Sequence, residues 1–280
     1  YSTYRLLDLS IELAFLFGAI VVVTGPTVII PMLRTVRPNS KVANVLRWEG
    51  IVIDPLGALL AVLVFDFIIS GQQNNALGTI FLTFGKIIFS GFFIGFVFGW
   101  LLGELLRKQY IPQYLRNIFT LISVFAVFVL SEMIESESGL LAVTIMGITM
   151  ANMKDMDIDN ILDFKESLSV LLISALFIVL AARIELHELI HAGWPAIVLL
   201  GIIILIARPV SVFVSSIGSD LSFNEKLMIA WIGPRGIVAA AISALFALRL
   251  EDAGFSEAVL LVPLTFVIII GTVVIQSTTA

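Results

Sequence analysis

The run Gly50-Ile51-Val52-Ile53-Asp54-Pro55-Leu56-Gly57-Ala58-Leu59-Leu60 sets an ionisable side chain inside a segment otherwise soluble in lipid. A carboxylate at that depth costs roughly a few kcal/mol, so it marks a functional site by default. Pro55 removes a backbone donor and loosens the helix beside the acid. Two further interruptions carry Gly-Pro pairs. Thr24-Gly25-Pro26-Thr27 lies one hydrophobic segment earlier, and Gly233-Pro234-Arg235-Gly236 lies near the other end.

Composition fixes the solvent of the fold. Of 280 residues, 59% are hydrophobic and 13% charged, with a mean hydropathy of +1.09, whereas a soluble domain carries about a quarter charged residues. The chain reads as a polytopic membrane protein, each span needing about 20 apolar residues to cross ~30 Å of hydrocarbon. Period-2 amphipathic strands are missing, which argues against a β-barrel. There are no cysteines, so disulfides, thiolate metal sites and thiol catalysis are excluded. The net charge of −5 offers no electrostatic case for nucleic acid. His187 and His191 have i,i+4 metal-ligand spacing but no further ligands nearby, and read as part of a solvated connection. Tyr1 to Asp8 is polar, does not begin with Met and carries no signal-peptide pattern. Tyr1 is therefore expected to be an internal position of a longer protein.

Hydrophobic spans read at roughly 9–33, 50–70, 79–105, 117–134, 139–152, 166–184, 194–217, 225–249 and 258–276. The fifth is short for a full crossing, and its flanks or a re-entrant path would have to complete it. Basic residues gather in alternate connections: Arg34, Arg37, Lys41 and Arg47, then Arg107, Lys108 and Arg116, then Lys154 and Lys165. The intervening connections are uncharged or carry Glu132, Glu135 and Glu137, and Arg183 and Arg249 are exceptions. The positive-inside rule puts the 34–48 side in the cytoplasm, which places Ala280 there too. The expected fold is all-α: a single 1–280 membrane domain of about nine spans with the broken helices of inverted-repeat transporters.

Other punctuation has plainer readings. Gly91, Gly95, Gly99 and Gly103 recur every four residues and make one helix face nearly bare, for intramolecular packing or a dimer seam. Lys86 snorkels near a span end, and Asp66 and Glu12 fall near outer interfaces. Asp155, Asp157, Asp159, Asp163 and Glu166 have the spacing of a calcium loop. Glu166 opens a membrane span, however, and a solvated linker is the favoured reading.

The residues at depth are Glu49, Asp54, Arg235 and, less centrally, Arg208. A buried arginine needs a partner, and Arg235 has Glu49 or Asp54 on offer. The preferred pairing gives it Glu49. A carboxylate locked to arginine stays ionised and cannot cycle, whereas one buried without a fixed partner can trade protons near neutral pH. Asp54 is then the candidate site for a proton and an alkali cation in competition. Hard cations want oxygen. Thr24 and Thr27 flank Gly25-Pro26 and can supply it, together with carbonyls freed at the breaks.

Six segments in order resemble the NhaP-like branch of the monovalent cation:proton antiporters. Val23-Thr24-Gly25-Pro26-Thr27 resembles the family's Thr-Asp-Pro segment, and Glu49-Gly50-Ile51-Val52-Ile53-Asp54 its Glu-Ser-Leu-Leu-Asn-Asp stretch. Ser138-Gly139-Leu140-Leu141-Ala142 is similar to its Ser-Gly-Phe-Leu-Ala start, and Phe164-Lys165-Glu166-Ser167-Leu168 to its Glu-Ser-Leu start. Ala207-Arg208-Pro209-Val210-Ser211-Val212 is similar to its Arg-Pro element, and Trp231-Ile232-Gly233-Pro234-Arg235-Gly236 to its Trp-x-Gly-x-Arg-Gly element. The resemblance implies exchange of Na⁺ or K⁺ for H⁺, with Asp54 as carrier and Glu49 and Arg235 as a supporting ion pair. It implies a homodimer in a bacterial-type inner membrane, no cofactor and no metal beyond the transported cation. Gly25, Ile53 and Gly50 stand where the family has aspartate, asparagine and serine. The cation shell is thereby left to water, carbonyls and the two threonines, and both Na⁺ and K⁺ stay open.

One evident carrier carboxylate predicts electroneutral exchange. The alternatives are a cation channel, lined by the same acid, and a pH-sensing membrane protein. An enzyme is not expected, since no nucleophile–base set or metal cluster is visible.

Overall fold

Glycine and proline decide where the helices stop. Helix α1 (Ile11–Val22) opens on the side-chain cap of Ser10 and ends at the first Gly-Pro pair. Helix α2 (Pro26–Val36) begins there, with Pro26 in the first turn where a missing N–H costs nothing. Helix α3 (Ser40–Ser70) continues through Pro55. Then follow α4 (Ala76–Arg107), α5 (Arg116–Ile134), α6 (Gly139–Ala151), α7 (Asp159–Arg183) and α8 (Leu186–Ile202). Pro209 has no N–H for the carbonyl of Leu205, and the chain relaxes into a π turn over Ile203–Ala207. The last four are α9 (Arg208–Ser215), α10 (Phe223–Trp231), α11 (Ile237–Asp252) and α12 (Leu261–Thr279).

The computed structural model describes residues 3–4, 9–70, 76–135, 137–154, 159–183 and 186–280. The described residues hold no strand, only an isolated antiparallel bridge between Thr24 and Arg235. Five described helices are long and apolar enough to cross a membrane: Ser40–Ile69, Leu82–Arg107, Gln113–Ile134, Gly193–Ser215 and Ser256–Thr279. The spans read at 9–33 and 225–249 are each two shorter helices, divided at their Gly-Pro pairs. In the calcium-like spacing, Asp155 and Asp157 lie outside the described residues, while Asp159, Asp163 and Glu166 are on α7. The side chains of His187 and His191 also lie outside the described residues.

The helices gather into two packing units, residues 70–178 and residues 1–69 with 179–280. In the 70–178 unit, α4 lies against α6 along the glycine stripe. A Cβ on Gly95 would stand 2.2 Å from the Ala142 carbonyl oxygen, and one on Gly99 would stand 2.9 Å from Met146 Cα. The stripe is thus an intramolecular seam. The start of α6 is fixed: the Glu132 carboxylate accepts the N–H groups of Glu137 and Gly139, each at 2.9 Å.

In the other unit, Ile29 and Leu33 of α2, Leu46 of α3, Val212 of α9 and Ile229 of α10 share one core. α1, α11 and α12 pack mutually beside it. The two interrupted helices therefore lie within a single packed body.

Candidate ion-binding site at the crossed helix breaks

On α3, Gly50, Asp54 and Gly57 fall at i, i+4 and i+7 and share one stripe. A Cβ on Gly50 would stand 3.2 Å from Pro26 Cα, and one on Gly57 would stand 2.5 Å from Val23 Cγ2. The stripe presses on the first break, and Asp54 lies between the two contacts. Its Oδ1 is buried and has no hydrogen-bond partner among the described residues, and the same holds for Thr27 Oγ1. Thr24 is turned elsewhere: its hydroxyl donates to Glu49 Oε1 at 3.3 Å.

The two breaks cross. Gly25 and Gly236 touch through their backbones, and the bridge from Thr24 to Arg235 runs alongside. Crossing extended segments leave four helix ends near one point, each with unsatisfied backbone groups. Two carbonyls at the end of α10 are met by Arg208, whose Nη2 donates to Ile229 at 3.2 Å and Ile232 at 2.9 Å. A cation at a helix C-terminus is also favoured by the helix dipole.

Arg208 also clamps Glu49. Nη1 donates to Oε1 and Nη2 to Oε2, the latter at 2.8 Å, a two-pronged charge-assisted pair. This corrects the sequence expectation, which gave Glu49 to Arg235. Arg235 is held by its own backbone. Its N–H goes to Thr272 Oγ1 at 3.1 Å, and its Nη1 folds back onto the Gly233 carbonyl at 3.1 Å. Arg208, the first residue of α9 after the π turn, reaches the carboxylate with both Nη1 and Nη2. Arg235 remains only 7% exposed, and its Nε is without a partner among the described residues.

Two cavities, of about 490 and 470 Å³, share Val22, Ala207 and Arg235 in their walls. The first is lined mainly by apolar residues such as Phe17, Val21 and Leu60. The second takes in Glu49, Arg208 and the hydroxyl residues Ser211, Ser215 and Ser219. Among the described residues no cluster of histidine and carboxylate side chains could hold a metal ion.

Of the residues singled out in the sequence, Gly25, Pro26, Gly233 and Pro234 sit at the breaks, and Asp54 and Thr27 each present a buried oxygen without a partner among the described residues. Thr24 serves Glu49. Two residues escaped the sequence reading: Thr272 and Gln276 of α12, 0% and 1% exposed. A buried amide in an otherwise apolar span was the signal for them.

A family profile described as "Sodium/hydrogen exchanger, transmembrane" matches residues 1–280. Na(+)/H(+) antiporter 1 of Methanocaldococcus jannaschii is 32% identical over 234 residues, covering 82% of this chain and 55% of that protein. K(+)/H(+) antiporter NhaP of Alkalimonas amylolytica is 27% identical over 264 residues, covering 93% of this chain and 45% of the other. The chain spans about half the length of these curated relatives. Among solved structures, that of the sodium proton antiporter MjNhaP1 from Methanocaldococcus jannaschii at pH 8 superposes with a TM-score of 0.77 at 26% identity. It covers 94% of this chain and 70% of that one.

Proposed function

Because the chain belongs to the sodium/hydrogen exchanger family, we propose that it works as an antiporter, exchanging a monovalent cation, Na⁺ or K⁺, for H⁺ by alternating access. The observation that carries this reading is the unequal state of two carboxylates on one helix. Glu49 is clamped by Arg208, whereas Asp54 has a buried oxygen with no partner among the described residues. A clamped carboxylate keeps its charge, while a buried free one can hold either a proton or a cation.

Asp54 is the carrier in this reading. The Thr27 hydroxyl and backbone carbonyls at the crossed breaks complete an oxygen shell, which hard cations require. Thr24 acts through Glu49 and is a weaker candidate for direct ligation. Relatives named for Na⁺ and for K⁺ exchange both match the chain, and both ions stand as substrates. One carrier carboxylate makes the exchange electroneutral. Residues 1–280 form part of a single exchanger domain. It works as a homodimer in a bacterial-type inner membrane, with the basic 34–48 side and the C-terminus in the cytoplasm.

The test is flux. The full-length protein is reconstituted into liposomes holding a pH dye, and Na⁺, K⁺ and Li⁺ are added in turn to wild type and Asp54→Asn. Cation-driven proton movement lost in the variant supports exchange through Asp54, and the active cation settles the substrate. Equal signals in both would remove Asp54 from the carrier role. Flux that no proton gradient drives uphill would make the protein a channel. Silence in both proteins would put a pH sensor ahead of an exchanger.

A further inference from the structure

Helix α12 is apolar over most of its length, yet Thr272 and Gln276 lie one turn apart on a fully buried face. Gln276 Oε1 accepts the N–H of Gly233 at 3.0 Å, and Thr272 Oγ1 accepts the N–H of Arg235 at 3.1 Å. Pro234, between them, has no N–H to give. Two of the donors that the second break leaves between α10 and α11 are thus met by side chains of a third helix. The Thr272 hydroxyl proton is spent on its own helix, at the Ile268 carbonyl 2.7 Å away, which leaves the oxygen free to accept.

Further contacts fix the same geometry. Trp231 Nε1 donates to Thr279 Oγ1 at 3.0 Å, so residues 231, 233 and 235 run along 279, 276 and 272 in order. Gly271 lies against Leu200 of α8, where a Cβ would come within 2.3 Å of Cδ2. α12 is therefore set against α8 at the same level at which it grips the break. What the grip places is Arg235, a residue that lines both cavities.

We propose that Thr272 and Gln276 are positioning residues for the exchange: by holding the N–H groups of Gly233 and Arg235 they fix the guanidinium of Arg235 in the wall shared by the two cavities. The functional half of this inference rests on the antiporter reading, and the structural half does not.

The test compares Thr272→Val with Thr272→Ser, and adds Gln276→Met, in the full-length protein. Valine keeps the shape and removes the acceptor, while serine keeps the acceptor. Amide hydrogen exchange is read at Arg235 and Gly233, and vesicle flux gives the apparent KM for the cation and the pH profile. Protection at Arg235 should fall about fivefold in Thr272→Val, and at Gly233 in Gln276→Met, the size set by losing one ordinary hydrogen bond. The apparent KM should rise with a displaced pH profile, and Thr272→Ser should stay near wild type in all readouts. Unchanged protection at both amides, or a serine variant as impaired as the valine, overturns the proposal. If Thr272→Val fails to accumulate, Gln276→Met carries the same comparison at Gly233. Wild-type protein without cation-driven flux would remove the antiporter reading, and amide exchange would still decide whether α12 holds the break.

Discussion

Gly25 and Gly236 meet backbone to backbone where the two broken helices cross. A Cβ on Gly25 would stand 3.0 Å from Gly236 Cα, and one on Gly236 would stand 2.9 Å from Gly25 Cα. Neither residue needs a glycine-only conformation, with φ at −79° and −115°. What they supply is room. Gly25→Ala and Gly236→Ala are each expected to lower stability by about 1–3 kcal/mol, the usual cost of overpacking, and to cut exchange sharply. Gly201→Ala, whose added carbon meets nothing within 4 Å, should be neutral or slightly stabilising. Thermal unfolding in detergent, beside flux in vesicles, checks this. A Gly25→Ala protein as stable and active as wild type would mean that the crossing is looser than described.

The seam between α4 and α6 makes a parallel prediction in the other packing unit. A methyl on Gly95 would lie 2.2 Å from a backbone oxygen, which no rotamer change can relieve. Gly95→Ala should destabilise by about 2–3 kcal/mol, at the upper end for overpacking. Gly147→Ala, on α6 with open space around it, serves as the comparison. Equal melting temperatures for the two would refute the seam.

The helix breaks were legible because they are local chemistry. A Gly-Pro pair interrupts an apolar run wherever it occurs, and both pairs end and begin helices as read. The stripe of glycines announced a close helix contact for the same reason. The partner of Glu49 was not legible. Arg208 and Arg235 are both basic residues at depth, and periodicity gives depth along one helix but not the direction in which a neighbour faces it. That choice depends on how Thr24 and Arg235 bridge across the crossing, a long-range result of packing. Thr272 and Gln276 were passed over because a span is recognised by its average, in which two polar residues barely register.

Asp54→Asn should separate function from stability. The native carboxylate has a buried oxygen that no described group satisfies, and burying a charge without a partner is costly. The amide keeps the shape and carries no charge. Thermal stability is expected to hold or rise while cation-driven proton flux disappears. A marked drop in melting temperature would instead give Asp54 a structural role at the break.

The pairing of Glu49 can be decided energetically. Arg208→Gln strips Glu49 of both its guanidinium bonds and frees the carbonyls of Ile229 and Ile232. Removing one partner of a largely buried pair typically costs about 3–5 kcal/mol, because the other charge is left uncompensated. Glu49→Gln should cost a comparable amount, and the double variant clearly less than the sum, since it strands no charge. Arg235→Gln removes a guanidinium that makes no ion pair among the described residues, so its cycle with Glu49→Gln should couple clearly less, through the Thr24 that touches both. Distant or unshared sites add within about 0.5 kcal/mol, whereas contacting pairs couple by up to about 3 kcal/mol. The measurement is the thermal or denaturant stability of the six proteins in one detergent. Strong coupling of Glu49 to Arg208 with clearly weaker coupling to Arg235 supports this pairing. The reverse pattern would return Glu49 to Arg235 and leave Arg208 as a cap on the end of α10 alone.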